Sequence, residues 1–274
     1  MRDVKIVKAV YFSPTGNTKK VVETVADCLA ERFQAKRETI DFTLPKDRQK
    51  EYEFEEDQLV VFGVPVYAGR VPNKILPAVQ SLFHGNGALA VSIVTFGNRS
   101  YDNALIELRN ELEENEFHIV TAGAFVSEHA FSDRLAAGRP NQEDMNQMIL
   151  LAEQTADKIQ SGMNLKVPVT VKGIEPIPAY YTPLGIDGTP AVFLKAKPKT
   201  TADCTDCKQC AGVCPMGSIE FEDPKVVSGI CIKCQACVKT CPVNAKYFED
   251  EAFLSHVKML EKNYDRRAEN EIFV

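Results

Sequence analysis

Eight cysteines fall within 38 residues, from Cys204 to Cys241, while a ninth, Cys28, stands alone. The eight form one spacing used twice. Cys204, Cys207 and Cys210 are each two residues apart, and Cys214 follows after three more, with Pro215 behind it. Cys231, Cys234, Cys237, Cys241 and Pro242 repeat the run 27 residues later. Disulfide staples would be spread along the chain, not packed into one segment. Thiolates are soft ligands suited to zinc and to iron–sulfur chemistry. A structural zinc takes four ligands, commonly two Cys-x2-Cys pairs parted by a longer loop. Three thiols at that spacing, in a run that occurs twice, favour iron–sulfur clusters over zinc. The neighbours Ala211, Val213, Ile219, Ile232, Ala236 and Val238 are small or apolar. They would keep water from the sulfurs and leave backbone N–H groups free to bond them.

A second chemical feature lies near the start. Tyr11-Phe12 runs into Ser13-Pro14-Thr15-Gly16-Asn17-Thr18 and then a helical pattern. A helix opening after a parallel strand presents free N–H groups and a positive dipole end, an anion site. The segment lacks the Gly-Lys-Ser/Thr of a nucleotide-triphosphate loop and the Gly-x-Gly-x-x-Gly of a dinucleotide site. A phosphate monoester is the better fit, and an ordinary Ser/Thr helix cap is the alternative. Ligands of open parallel sheets bind beyond the carboxyl ends of the strands. There the chain carries Pro65-Val66-Tyr67-Ala68-Gly69-Arg70-Val71-Pro72, Thr95-Phe96-Gly97-Asn98-Arg99-Ser100-Tyr101 and Ser127-Glu128-His129. Tyr67 and Tyr101 could stack on a flat ring or be plain loop aromatics. His129 is a loop histidine or a cofactor contact. Cys28, inside a helical stripe, reads as a small buried hydrophobe.

The elements that must hold these residues follow from periodicity. Lys5–Phe12, Lys36–Phe42, Gln58–Val66, Ala88–Thr95 and Phe117–Phe125 read as strands, the third apolar enough to be buried on both faces. Helical patterns occupy Asn17–Phe33, Asn73–Phe83, Ser100–Asn115 and Asn141–Ser161. Alternation of this kind predicts a doubly wound α/β unit with a parallel sheet, helices on both faces and right-handed crossovers. Residues 163–202 hold six of the 15 prolines, too many for a helix or central strand. The expected organisation is an α/β unit over 1–162, a docked proline-rich connector over 163–199, a cysteine domain over 200–248, and a C-terminal helix and tail over 249–274.

The chain of 274 residues has 45% hydrophobic and 26% charged residues, a globular composition. The net charge of −6 argues against nucleic acid as the main partner. No run approaches the ~18 apolar residues of a membrane helix, and the first residues read as a strand and not as an export signal. A cytoplasmic location is expected, where thiols stay reduced.

On these residues the chain resembles a known architecture. SPTGNT is similar to the Ser/Thr-x-Thr-Gly-x-Thr loop of flavodoxins, and PVYAGRVP and TFGNRSYDNAL resemble their two ring-contacting loops. The cysteine runs resemble the bacterial-type two-cluster ferredoxin, whose spacing is the standard description of that class, so the assignment is by likeness. The two in this order resemble the flavodoxin–ferredoxin fusion proteins of anaerobic bacteria and archaea, the EFR-type ferredoxins. The resemblance implies a flavodoxin-like five-stranded sheet in the order 2-1-3-4-5 and a small α+β ferredoxin-like domain. It implies FMN, with Ser13, Thr15, Gly16, Asn17 and Thr18 at the phosphate. Pro65, Val66, Tyr67, Ala68 and Gly69, with Thr95, Phe96, Gly97, Asn98 and Tyr101, would hold the ring. It implies two 4Fe–4S clusters with crossed ligands: Cys204, Cys207, Cys210 and Cys241 on one, Cys231, Cys234, Cys237 and Cys214 on the other. The function implied is low-potential electron transfer between FMN, the clusters and redox partner proteins. A flavin-dependent reductase fed by the clusters and a redox-sensing interaction protein are the alternatives.

Overall fold

The computed structural model describes residues 3–274. The first two residues of the expected 1–162 unit lie outside the described residues. Strand β1 (Ile6–Tyr11) leads into helix α1 (Asn17–Phe33), then β2 (Lys36–Asp41), a short β3 (Tyr52–Glu53) and β4 (Gln58–Pro65). Helix α2 (Leu76–Leu82), the two-residue β5 (Phe83–His84), β6 (Leu89–Phe96), α3 (Ala104–Glu114), β7 (His118–Val126) and α4 (Gln142–Gln160) complete the unit. Pro72 does not open α2 directly. Its carbonyl accepts from Ile75 and Leu76, forming a turn ahead of the helix, and Pro77 takes the first helical turn.

The sheet runs β2-β1-β4-β6-β7, all parallel, so the expected strands stand in the expected order. The expectation of five strands is corrected by a sixth, β10 (Glu271–Phe273), which the C-terminal tail adds antiparallel to β7. Valine and isoleucine fill the central strands because both faces are covered. On one face α1 and α4 bury Val21, Val25, Leu29, Leu151 and Ile159 against Val7, Val61 and Val91. On the other, α2 and α3 bury Val79, Leu105 and Leu108 against Val60, Phe62 and Val94. Gly63 permits the close approach of α1, since a Cβ there would stand 2.3 Å from Val22 Cγ2. Cys28 is half-buried and packs against the α1–α4 core, as a small hydrophobe would.

The connector has no regular element from 163 to 198 but is docked along the α/β unit. Val169 N donates to Ile119 O at 3.0 Å, Tyr181 N to Ala68 O at 2.9 Å, and the Tyr180 hydroxyl to Val71 O at 2.9 Å. The cysteine segment is tied at its ends by β8 (Lys199–Thr200) and β9 (Lys246–Tyr247), which pair antiparallel. Between them stand two single-turn helices, α5 (Gln209–Gly212) and α6 (Ala236–Lys239). Helix α7 (Glu251–Asn263), capped by the Asp250 carboxylate on Phe253 N at 2.9 Å, buries Phe253, Met259 and Leu260. Among the described residues no helix is long and apolar enough to cross a membrane.

Candidate functional site

The loop Ser13–Thr18 bends into α1 at Gly16, whose φ of +88° few side chains tolerate. Ser13 N donates to Thr43 Oγ1 at 2.8 Å, and Ser13 Oγ accepts from Lys19 N at 2.9 Å. The first-turn N–H groups of α1 have no partner within the helix. Asn17 Nδ2 reaches Glu128 O at 3.3 Å, joining this loop to the end of β7. Thr18 is turned inward. Its hydroxyl pairs with that of Thr95 at 2.7 Å, both buried, so these two expected site residues fix the loop to β6 through each other.

The second loop is a two-residue hairpin. Tyr67 and Arg70 exchange backbone hydrogen bonds of 2.9 and 3.1 Å, with Ala68 at φ 49° and Gly69 at φ 77°, the pattern of a type I′ turn. Pro65 and Val66 lead into it, and Val66 N donates to Thr95 O at 2.8 Å. A Cβ on Gly69 would lie 2.2 Å from Asp102 Oδ2, so only glycine fits. Gly69 O accepts from Asn103 N at 2.9 Å, which couples this loop to the third. Arg70 pairs with the buried Glu107 and stacks 4.3 Å above the Tyr180 ring, while Arg99 pairs with Asp102 and lies 4.1 Å from Tyr181.

In the third loop, side chains expected at the ring are committed elsewhere. Asn98 is 2% exposed; its Nδ2 donates to Tyr264 O and Arg266 O, both at 2.6 Å, and its Oδ1 accepts from Ala268 N at 3.2 Å. It is the clasp of the C-terminal tail. Tyr101 packs in the core against Phe96 with ring centroids 5.5 Å apart. Burial, with the Glu271 carboxylate beside it, raises the pKa of its hydroxyl well above the ordinary value. Gly97 leaves room for His129, since a Cβ there would meet His129 Cδ2 at 2.4 Å. His129 Nδ1 accepts from Phe131 N at 3.0 Å, so the ring proton sits on Nε2. Burial first, then the charges of His256, Lys239 and Arg99, bring His129 down to about 4.

The cysteine runs fold identically. Asp206 and Lys208 in the first run, and Lys233 and Gln235 in the second, take φ values of 57–65°. None is glycine, and the strained positions recur at the same places in both runs. The eight thiols separate into two hollows. Cys214, Cys231, Cys234 and Cys237 line one, and Cys204, Cys207, Cys210 and Cys241 line the other. Each fourth cysteine has thus crossed to the other run. Backbone N–H groups point at sulfur: Ser218 to Cys214 at 3.3 Å, Lys233 to Cys231 at 3.4 Å and Ala245 to Cys241 at 3.1 Å. All are free of disulfides. Burial pushes the Cys237 thiol up to about 12 and raises Cys210, Cys231 and Cys234 too. At Cys241 burial is outweighed by N–H bonds from Ala245, Val243 and Lys246, which lower it. Such shielded thiols ionise only for a partner that takes them as thiolates, which a metal does. The donor set of four sulfurs per hollow fits an iron–sulfur cluster.

The two hollows differ in exposure. Cys207 is exposed, while Cys234 and Cys237 are buried. The buried hollow faces the α/β unit. Ile232 packs on its core, and Arg48 of the loop after β2 donates to Pro215 O, next to Cys214. Lys239 of α6 pairs with Glu128. The Tyr67 hydroxyl is raised well above its ordinary value, by burial and then by Cys234 and Cys231. Sequence reasoning missed Arg48, Thr43 and the buried Lys233 and Lys246. Nothing in their local pattern marks them, since each acts on a distant segment.

Residues 224–247 match the family model of the 4Fe-4S binding domain, a span that contains the second cysteine run. No curated protein matches the chain in sequence. Among solved structures, the Streptococcus pneumonia TIGR4 flavodoxin is 18% identical, with 58% of this chain and 99% of that one covered at a TM-score of 0.39. Oxidised Flavodoxin 2 from Bacillus cereus is 15% identical over 57% and 99%, TM-score 0.40. Rubredoxin oxygen:oxidoreductase from Desulfovibrio gigas is 13% identical over 58% and 37%, TM-score 0.41. The strand order, not these overlaps, defines the N-terminal fold, because 2-1-3-4-5 is the flavodoxin-like winding. The chain joins an α/β unit with the flavodoxin-like strand order to a cysteine segment of which residues 224–247 match the 4Fe-4S binding domain.

Proposed function

We propose that this chain is a low-potential electron carrier that holds FMN in its first unit and two 4Fe–4S clusters in its second, passing electrons to a separate redox protein. One observation supports this most: the eight thiols sort into two crossed quartets, and the buried one is fastened to the α/β unit through Ile232 and Arg48. When bound, FMN exchanges two electrons singly and each cluster exchanges one, so a chain with both can join two-electron to one-electron chemistry.

The chain's own residues do the rest. Gly16 and the first-turn N–H groups of α1, with the hydroxyls of Ser13 and Thr15 and the amide of Asn17, receive the phosphate. The paired hydroxyls of Thr18 and Thr95 hold the loop in place. The Pro65–Gly69 hairpin and the Thr95–Asn98 backbone would hold the ring. In the third loop the contribution is main chain, since Asn98 and Tyr101 are occupied elsewhere. Cys214, Cys231, Cys234 and Cys237 hold the inner cluster, and Cys204, Cys207, Cys210 and Cys241 the outer. His129, neutral with its proton on Nε2, is a fixed hydrogen-bond donor beside Gly97. The exposed Cys207 marks the side from which electrons leave or enter.

A reductase would need an open flavin edge. The connector sits on the second loop through Tyr181 and Tyr180, and the tail sits on the third through Asn98, which favours a carrier. Purification without oxygen, with iron, sulfide and released-flavin counts, is the test. About eight irons and one FMN per chain are expected from two 4Fe–4S clusters and one flavin. Zinc in place of iron, or iron without flavin, would overturn the proposal.

A further inference from the structure

Lys233 and Lys246 are 7% and 2% exposed, in a segment where nearly every other charge is at the surface. A buried ammonium group is costly unless an anion balances it. Among the described residues, both donate only to neutral oxygens. Lys246 Nζ reaches Thr200 Oγ1 at 2.8 Å and Pro224 O; Lys233 Nζ reaches Cys231 O at 3.0 Å and Leu194 O. By contrast Lys208, also beside the cysteines, pairs with the Asp206 carboxylate at 3.0 Å and stays partly exposed. Among the described residues neither lysine forms an ion pair with a carboxylate, Asp250 acting on Lys233 only at longer range, and each stands beside a different quartet. Lys246 lines the hollow of Cys204, Cys207, Cys210 and Cys241. Lys233 lies between Cys231 and Cys234, and its own N–H bonds Cys231 Sγ at 3.4 Å.

We propose that Lys246 and Lys233 are the resident counter-cations of the two cysteine quartets, balancing their thiolate charge and raising the reduction potential of whatever cluster each quartet holds. The inference rests on the two-quartet reading above. A fixed positive charge in a poorly solvated site favours the redox state with more negative charge, and little water is present to screen it. Both lysines are positioning residues and take no electron themselves.

The test is a redox titration of the oxygen-free protein followed by electron paramagnetic resonance, with iron content measured on each sample. Lys246→Met keeps the length of the side chain and removes the charge. It should shift the outer cluster to a lower potential by at least a tenfold change in its one-electron equilibrium constant, about 59 mV. Lys246→Arg should restore most of the shift. Thr200→Val breaks one hydrogen bond of the ammonium group but keeps the charge; it should lower stability and leave the potential close to the parent value. Lys158→Met, which removes a cation that donates to Val120 O in the α/β unit, should change neither potential. Full iron with an unchanged potential in Lys246→Met overturns the inference. If Lys246→Met binds no iron while Lys246→Arg does, the charge requirement stands. If neither binds iron, the Met and Arg pair at Lys233 decides in the same way, read on the inner cluster. A parent protein with zinc, or with about four irons, would instead overturn the two-quartet reading itself.

Discussion

The tail that closes over the third loop depends on one buried carboxylate. Asp144 is 1% exposed and sits in the first turn of α4. It pairs in bidentate fashion with Arg139, which is 6% exposed, and accepts from Asn141 N and Asn270 Nδ2, each at 2.8 Å. Arg139 in turn donates to Ala268 O at 2.5 Å, and Asn270 Oδ1 accepts from Val126 N at 2.8 Å. Asp144→Ala would leave the Arg139 charge buried without its anion, a loss of about 3–5 kcal/mol, to which the lost helix cap adds about 1 kcal/mol. The penalty falls on the tail, because Arg139 can regain water only by releasing Ala268 and Asn270. At 1.4 kcal/mol per factor of ten, amide exchange in residues 264–273 should speed up by roughly three to four orders of magnitude, read by hydrogen-exchange mass spectrometry. Exchange in β1 and β4 should change far less. Replacing both partners with apolar residues should cost less than Asp144→Ala alone, since no charge is stranded. The reasoning is refuted if the tail exchanges at the parent rate in Asp144→Ala, or if the double variant loses as much as the two single ones combined.

Gly69→Ala should weaken FMN binding by at least tenfold in a fluorescence titration, because φ 77° and a 2.2 Å clash with Asp102 Oδ2 force the hairpin to shift. Gly16→Ala, at φ 88° with open space around the Cβ, should cost only about 1–2 kcal/mol of strain and weaken binding less. Cys214→Ser should disturb the same paramagnetic signal as Cys234→Ser and not that of Cys207→Ser, although Cys214 belongs in sequence to the first run; the opposite pairing contradicts crossed ligation. His129 is held down to about 4, below the ~6.5 of an unfolded histidine. The sign follows: the unfolded chain binds the proton first, so His129 makes stability fall as pH drops from about 6.5 toward 4, and has no effect above that window. His129→Gln should flatten the dependence of the urea midpoint in that window; an unchanged slope argues against it.

How much was legible depended on whether a residue acts locally. The β1–α1 unit could be read because an apolar run is followed by Val21, Val25 and Leu29 on one helical face, and both patterns are set by burial alone. The cysteine runs were legible because ligand spacing is a local property. The tail strand was not: Glu271–Phe273 is too short for any period, and its conformation comes from β7. The loop at Thr95–Tyr101 was found, but the work of its side chains was not. Asn98 and Tyr101 look like ring contacts until the tail and the core claim them. Thr18 reads as a phosphate donor, and only the meeting of α1 with β6 shows its hydroxyl turned to Thr95. Lys246 carries no local sign of burial, which arises when β8 and β9 pair around it.

The central claim is that the flavin loops and the buried quartet belong to one electron path within a single chain. Flash reduction of bound FMN, with the cluster absorption followed in time at several protein concentrations, tests it most directly. A cluster bleaching rate that does not depend on protein concentration is the expected result. A rate that rises in proportion to concentration, so that electrons pass only between chains, would contradict it.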